Sequence, residues 1–270
     1  EPYEFPTGWA RMPAVRAARR GIQRAGLTPL TWSLTKPEVR GLDLLERLTG
    51  PVVFVANHSS HLDTPLILGS LPARYAKKIA VGAAADYFFD ARWRAAVTAV
   101  VFNAFPVERR GSRKLRSLAP NLLDRGWSLL LFPEGTRSED GWMGSMRMGA
   151  AQLCVTRNIP CVPIALRGTY AAMPRGRNWP MPGRPRVVVR YGAPIRPDEG
   201  EGARTFQQRI AGSFAQLWAE EDMGWYQSLR ASAEGSIALP TGPKAAGWRR
   251  HWESTRPLRA DRPAPAWREE

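Results

Sequence analysis

The chain has 270 residues, 44% of them apolar, and a formal net charge of +15. That length holds one large domain, or one domain with arms, and buries a substantial core, and the apolar share excludes disorder of the whole chain. The positive balance favours anionic partners: nucleic acid, phospholipid headgroups or an acidic carrier protein.

Residues 9–25 read as a helix, with Trp9, Met12, Val15, Ala18 and Ile22 on one broad face and Arg11, Arg16, Arg19, Arg20 and Arg24 over much of the rest. A basic amphipathic helix fits a membrane surface; it equally fits a surface helix packed on the core. Residues 51–56 form a short apolar run rich in β-branched side chains, a buried-strand pattern. The run ends in Asn57-His58-Ser59-Ser60-His61-Leu62-Asp63, and residues 64–71 then read as a helix. The alternation continues with strands at 78–83, 104–107, 127–132, 161–166 and 186–191, and helices at 91–102, 114–125, 150–157 and 206–221. Pro163 inside a strand points to an edge or a bulge. Residues 173–185, rich in Pro, Gly and Arg, read as a loop. After about Ser228 the chain turns rich in Arg, Trp and Pro, as an arm that wraps the core or lies on a partner.

Strands alternating with helices indicate an α/β fold with a mostly parallel central sheet flanked by helices. The expected organisation is a basic amphipathic helical region at 1–40, an α/β domain at 41–227 and an arm at 228–270. The two cysteines, Cys154 and Cys161, each sit among apolar residues, as packed thiols in a reducing compartment. No uninterrupted apolar run approaches the ~20 residues that span a bilayer. No signal peptide is legible, but the chain opens on Glu1 rather than methionine, so what precedes it stays open. The abundance of Ala, Arg and Pro, all with G+C-rich codons, points to a bacterial source.

In a parallel sheet, ligands bind beyond the carboxyl ends of strands. Three of the expected strands end in polar clusters there. His58 and Asp63, five residues apart across a strand-to-helix turn, suit a general base and the carboxylate that orients it. Alone, the pair fits a loop histidine beside a helix cap, or with His61 a metal-ligand set, just as well. In Phe132-Pro133-Glu134-Gly135-Thr136-Arg137-Ser138, Gly135 permits close backbone approach and Arg137 suits a phosphate. Glu134 suits a sugar-like hydroxyl or the orienting of an arginine. Arg109 follows the short strand at 104–107, and Arg167 and Gly168 end the strand begun at Cys161. Ser59 and Ser60 lack the Gly-x-Ser-x-Gly elbow of a hydrolase and read as turn residues or as donors near an acyl group.

Together these four blocks resemble the glycerolipid acyltransferase family that includes bacterial 1-acylglycerol-3-phosphate acyltransferases. The likeness covers about residues 52–195, with His58-x4-Asp63, the arginine block, Phe-Pro-Glu-Gly-Thr-Arg and Val-Pro-Ile in order. The second block departs from the family pattern, holding Asn103 and Pro106 where a glycine and an aromatic are usual, while Arg109 keeps its place. The departure leaves the reaction class intact and the acceptor open. The resemblance implies catalysis by His58 and Asp63. It implies that Arg109, Glu134, Gly135, Thr136 and Arg137 hold the phosphate end of the acceptor; Ser59, Pro163 and Arg167 are further candidates for acyl or donor contacts. It implies acyl-CoA or acyl-carrier protein as donor, a lysophospholipid acceptor and no metal or cofactor. It also implies a life on anionic lipid at the cytoplasmic face of a bacterial inner membrane. Alternatives are the same chemistry on glycerol-3-phosphate, another lysophospholipid or a glycolipid, and a catalytically silent membrane-binding module. No nucleic-acid motif accompanies the charge. Oligomeric state is not legible.

Overall fold

The computed structural model describes residues 7–84, 92–107, 118–256 and 258. A helical N-terminal stretch comprises α1 (Pro13–Gly21), a π-helical segment Ile22–Leu27 and α2 (Thr28–Leu34). Next come β1 (Lys36–Arg40), β2 (Val53–Ala56), α3 (Asp63–Ser70), the short α4 (Ala73–Ala76) and β3 (Ile79–Ala84). Then follow α5 (Arg92–Phe102), β4 (Ala104–Val107), α6 (Leu118–Asp124), β5 (Ser128–Leu131) and α7 (Gly149–Arg157). The chain continues through β6 (Cys161–Arg167), the one-turn α8 (Thr169–Ala172), β7 (Arg186–Tyr191) and α9 (Ala203–Met223). It closes with α10 (Trp225–Ala233) and α11 (Gly247–Ser254).

Seven strands form one sheet in the order β1-β7-β6-β2-β5-β3-β4. Every neighbouring pair is parallel except β6 and β7. The expected α/β architecture is thus present. β2 shows why a central strand reads as a continuous apolar run: all four of its residues are buried. Phe54 and Ala56 face α3, with Leu66 and Ile67, while Val53 and Val55 face α6 and α7, with Leu122 and Cys154. Cys154 and Cys161 are free thiols buried in that second cluster.

Pro163 lies in an interior strand, so the edge alternative is corrected. β7 and the chain after it slip by one residue along β6, Ile164 standing opposite Tyr191 but Cys161 opposite Ile195. That bulge opens the ladder beside the residue that has no N–H to give.

β1 was not expected as a strand. Lys-Pro-Glu-Val-Arg carries no alternating apolar pattern, and the strand pairs only with β7. Its side chains are held by charge. Arg186 on β7 donates to both Glu38 oxygens at 2.6 and 2.7 Å and to Glu221 on α9 at 2.8 Å. Arg190 reaches Glu220 at 2.8 Å and Glu221 at 3.1 Å. Arg186, with Arg40, holds the Glu38 carboxyl down to about 2. The Glu221 side chain is only 2% exposed. Arg186→Met should therefore cost about 2 kcal/mol, below the ~3–5 of a fully broken buried pair because Arg40 and Arg190 still serve Glu221. Chemical denaturation checks this, and an unchanged midpoint contradicts it.

The N-terminal helical stretch turns two polar residues, Arg19 of α1 and Gln23 of the π-helical segment, toward α5. Arg19 is buried, and its Nε donates to the Val100 carbonyl while Nη2 donates to those of Ala99 and Ala10. Gln23 donates to Val101 at 2.7 Å. Three of these four acceptors belong to the last turn of α5, where carbonyls lack helical partners and a cation is favoured. The expected apolar face is correspondingly turned outward in part, Met12 being 58% and Ile22 43% exposed, with Leu30 of α2 at 47%. Among the described residues no helix is long and apolar enough to cross a membrane.

The described part of the C-terminal arm lies on the core. Arg250 of α11 donates to Asp140 at 2.6 Å, and Trp142 donates its indole N–H to the Arg250 carbonyl at 2.9 Å. Tyr170 of α8 sits against His251.

Candidate active site

β2 and β5 are neighbours whose onward connections diverge, β2 leading through α3 toward β3 over one face and β5 through α7 toward β6 over the other. Divergence of this kind opens a crevice at the carboxyl ends of the two strands. The segments after β2 and β5 meet there.

Asn57, buried at the end of β2, continues the pairing with β6: its amide donates to the Leu166 carbonyl and its oxygen accepts from the Leu166 N–H. The chain then turns sharply around one carboxylate. Asp63, fully buried at the start of α3, accepts at Oδ2 from the backbone N–H of Ser59 at 2.7 Å and of Ser60 at 2.8 Å. The same oxygen lies 2.8 Å from Nδ1 of His58. An oxygen fixed by two N–H donors is an acceptor, so the imidazole carries its proton on Nδ1 and leaves Nε2 with a lone pair. The His58 ring stacks on Phe132 with centroids 4.1 Å apart, and its side chain stays 19% exposed. A ring with one nitrogen bonded to a buried carboxylate and the other open can take a proton from a hydroxyl.

Ser59 and Ser60 serve the turn. Ser59 shares a 2.9 Å hydrogen bond with the Thr169 hydroxyl, and Ser60 donates to the Met173 carbonyl. Both are buried.

Glu134 follows β5 and spends both oxygens on backbone. Oε1 accepts from His58 N–H at 2.7 Å, and Oε2 from Gly144 N–H at 2.8 Å. Burial pushes its carboxyl up, against the pull of those two bonds. Ser138 adds a further tie, its N–H donating to the His58 carbonyl at 2.8 Å. Glu134 is thus a clasp between the histidine turn and the segment 138–144. The expected contact with a substrate hydroxyl would have to compete for oxygens already bonded.

Gly135 has φ +73°, a conformation glycine takes without strain. A Cβ there would come within 2.9 Å of Nε of Arg147, so Arg147 lies across this turn. Thr136 is exposed and Arg137 half-buried. Arg147, exposed and nine residues beyond Ser138, carries no signal in the sequence that would single it out. Arg109 lies outside the described residues.

Pro163 and Arg167 point to the other face of β6. Pro163 packs near Gly192 and Leu217. Arg167 makes a two-pronged pair with Asp222 of α9 at 3.0 and 3.1 Å and lies 4.4 Å over the Trp218 ring. No contact joins either residue to His58 among the described residues.

His61 stands at the rim. Burial first, then the charges of Arg137 and His58, lower its pKa to about 4. The folded protein therefore keeps His61 neutral while the unfolded chain takes up a proton near pH 6.5. Between those values the unfolded state binds more protons, so stability falls as pH drops from about 6.5 to about 4 and changes no further below that. His61→Gln should flatten this dependence by about 1–2 kcal/mol, allowing for the partial exposure of the ring. Denaturant unfolding of both proteins at pH 7 and pH 4 checks it, and parallel losses contradict it.

A family model described as "Acyltransferase" matches residues 36–167. A 1-acyl-sn-glycerol-3-phosphate acyltransferase of Chlamydomonas reinhardtii is 32% identical over 202 residues, covering 73% of this chain and 59% of that protein. A chloroplastic 1-acyl-sn-glycerol-3-phosphate acyltransferase of Brassica napus is 33% identical over 144 residues, covering 52% of this chain and 40% of its own length. This chain thus spans 40% and 59% of these two curated relatives. Among solved structures, the 1-acyl-sn-glycerophosphate (LPA) acyltransferase of Thermotoga maritima matches with a TM-score of 0.54 at 25% identity, covering 73% of this chain and 78% of that one.

Proposed function

We propose that this chain, which belongs to the glycerolipid acyltransferase family, is an O-acyltransferase that converts 1-acylglycerol-3-phosphate to phosphatidic acid in phospholipid biosynthesis. The observation that carries the reading is the 2.8 Å bond between His58 Nδ1 and a buried Asp63, with Nε2 left open in the crevice. In the proposed step, Nε2 takes the proton of the acceptor hydroxyl as its oxygen attacks the thioester carbonyl. The carbon–sulfur bond breaks, and the imidazolium returns the proton to the departing thiolate. The new ester and a free thiol result, so no redox partner enters. Asp63 stabilises the imidazolium in between.

The acceptor phosphate is assigned to Thr136, Arg137 and Arg147 around Gly135, with Arg109 as a fourth candidate. The donor is acyl-CoA or acyl-carrier protein. The proposed setting is a membrane surface at the cytoplasmic face of a bacterial inner membrane. Its support is the outward set of Met12, Ile22 and Leu30 beside a strongly basic chain.

A thiol-release assay tests the reading. Purified protein receives oleoyl-CoA or oleoyl-acyl-carrier protein with 1-acylglycerol-3-phosphate, glycerol-3-phosphate or no acceptor. Release that depends on 1-acylglycerol-3-phosphate is the expected result. Release with glycerol-3-phosphate alone would move the activity to the earlier acylation. Absence of release with every pair of donor and acceptor would overturn the proposal.

A further inference from the structure

At the N-terminal ends of β3 and β5, cations gather with no carboxylate among them. Arg11, Arg16, Lys78 and Arg125 line a cavity of about 360 Å³, with Met12 and Trp127 among its walls. Lys78 and Trp127 directly precede β3 and β5, whereas His58 and Glu134 follow β2 and β5. The cavity and the candidate active site therefore lie at opposite edges of the sheet, separated by at least the ~13 Å length of a four-residue strand.

The four cations face one another without a carboxylate between them. Several arginines elsewhere are matched with acids, as Arg157 is with Asp124, Arg209 with Asp198 and Glu201, and Arg250 with Asp140, and others such as Arg19 and Arg184 are spent on backbone carbonyls. Among the described residues, Arg11, Arg16, Lys78 and Arg125 enter no ion pair. Arg11 donates from Nη1 to the Thr7 carbonyl and hydroxyl, yet its Nε and Nη2 are enclosed and meet no acceptor. The Arg16 guanidinium rests over the Trp127 ring, 5.5 Å from its centroid. Burial, and then the charge of Arg125, push Arg11 down to about 10. Charges of one sign brought together in this way repel, and the group is relieved when an anion with several acceptor oxygens enters.

We propose that this cavity binds a phosphate group, supplied by the headgroup of an anionic phospholipid. Phosphate offers acceptors to several cations at once. The source follows from what borders the cavity. Met12 lines it and is 58% exposed, and Ile22 and Leu30 continue an outward apolar set along the same helical stretch. A free phosphate has no use for that apolar border, whereas a lipid brings its chains to it. The site is separate from the one assigned to the acceptor and does not depend on the chain being an acyltransferase.

The test is vesicle flotation of the full chain, on phosphatidylcholine alone and on phosphatidylcholine with phosphatidylglycerol, at moderate salt. Lys78→Ala/Arg125→Ala removes two exposed members of the cavity. Arg204→Ala/Lys244→Ala removes the same charge from exposed positions elsewhere. The cavity variant should lose about tenfold or more of its partitioning to the anionic vesicles, and the matched variant less than about threefold. Both should keep the wild-type melting temperature. Equal losses in the two variants would reduce the effect to net charge and overturn the site. Calorimetric titration with inorganic phosphate separates the sources. Phosphate binding that depends on Lys78 and Arg125, beside unaltered flotation, would assign the cavity to a free anion and overturn the lipid.

Discussion

His58→Ala is expected to lower kcat by roughly 10²–10⁴-fold while leaving the KM for the lysophospholipid within a few-fold of the wild type. The asymmetry follows from where the ring stands. Nδ1 is tied to Asp63, Nε2 faces the crevice, and the cations assigned to the phosphate belong to a different turn. Alanine keeps the His58 backbone N–H that Glu134 accepts, so the turn retains its outer tie. Thiol release in detergent-solubilised substrate, at several acceptor concentrations, separates the two constants. A rise in KM at unchanged kcat would make His58 a binding residue.

Asp63→Asn sharpens this result. Two backbone N–H groups fix an acceptor at the Oδ2 position, and the other oxygen has no partner. An asparagine must therefore place its carbonyl oxygen there and its amide where the unpartnered oxygen was. His58 keeps its Nδ1 proton and its orientation, and only the negative charge is lost. A hydrogen bond to a charged group exceeds a neutral one by ~1–2 kcal/mol, which corresponds to roughly 5–30-fold in rate. The loss should thus fall well short of that in His58→Ala.

Glu134→Ala is expected to destabilise the fold by about 2–4 kcal/mol and to lower kcat by roughly tenfold or more. It leaves two N–H groups without acceptors, that of His58 and that of Gly144, each costing ~1–3 kcal/mol if unmet by water. The kinetic effect comes from the freedom given to the histidine turn, since small misplacement of a catalytic group is costly. Glu134→Gln restores one acceptor and puts an amide against the other N–H, so it should recover part of the stability. Melting temperature and kcat should move together across the pair. A selective rise in acceptor KM at native stability would instead make Glu134 a substrate contact.

The sequence carried the parts of this architecture that depend on local pattern. β2, β5 and β6 are apolar along their length because both faces are covered, and each ends in the polar residues that the resemblance singled out. What lay beyond reach depends on distant partners. β1 has the composition of a loop, and it is a strand because Arg186, 148 residues onward, waits for its Glu38, and Glu221, further on still, for its Arg40. The stretch 9–25 fits a basic membrane-surface helix or one packed on the core by its apolar face, but the groove it occupies presents the bare carbonyls of α5, and Arg19 and Gln23 answer them. Glu134 looked like a hand for the substrate because nothing in Phe-Pro-Glu-Gly-Thr-Arg tells that two N–H groups from separate turns converge on it. Arg167, a candidate acyl or donor contact, is held by Asp222 and Trp218 of α9, partners that lie far along the chain.

The pairing of β1 sets a limit on how this protein can be divided. The matched region, 36–167, takes in β1 but stops before β7, the strand on which every ladder bond of β1 depends. It also stops before α11, which grips the segment just beyond the Glu134 motif through Arg250 and Asp140. A fragment cut to the family boundary would carry every motif and leave one strand without a neighbour and the segment clasped by Glu134 without its outer brace. The unit that is inherited as a recognisable pattern is therefore smaller than the unit that folds. Chimaeras that exchange the motif-bearing half between relatives should be joined beyond α11 rather than after β6.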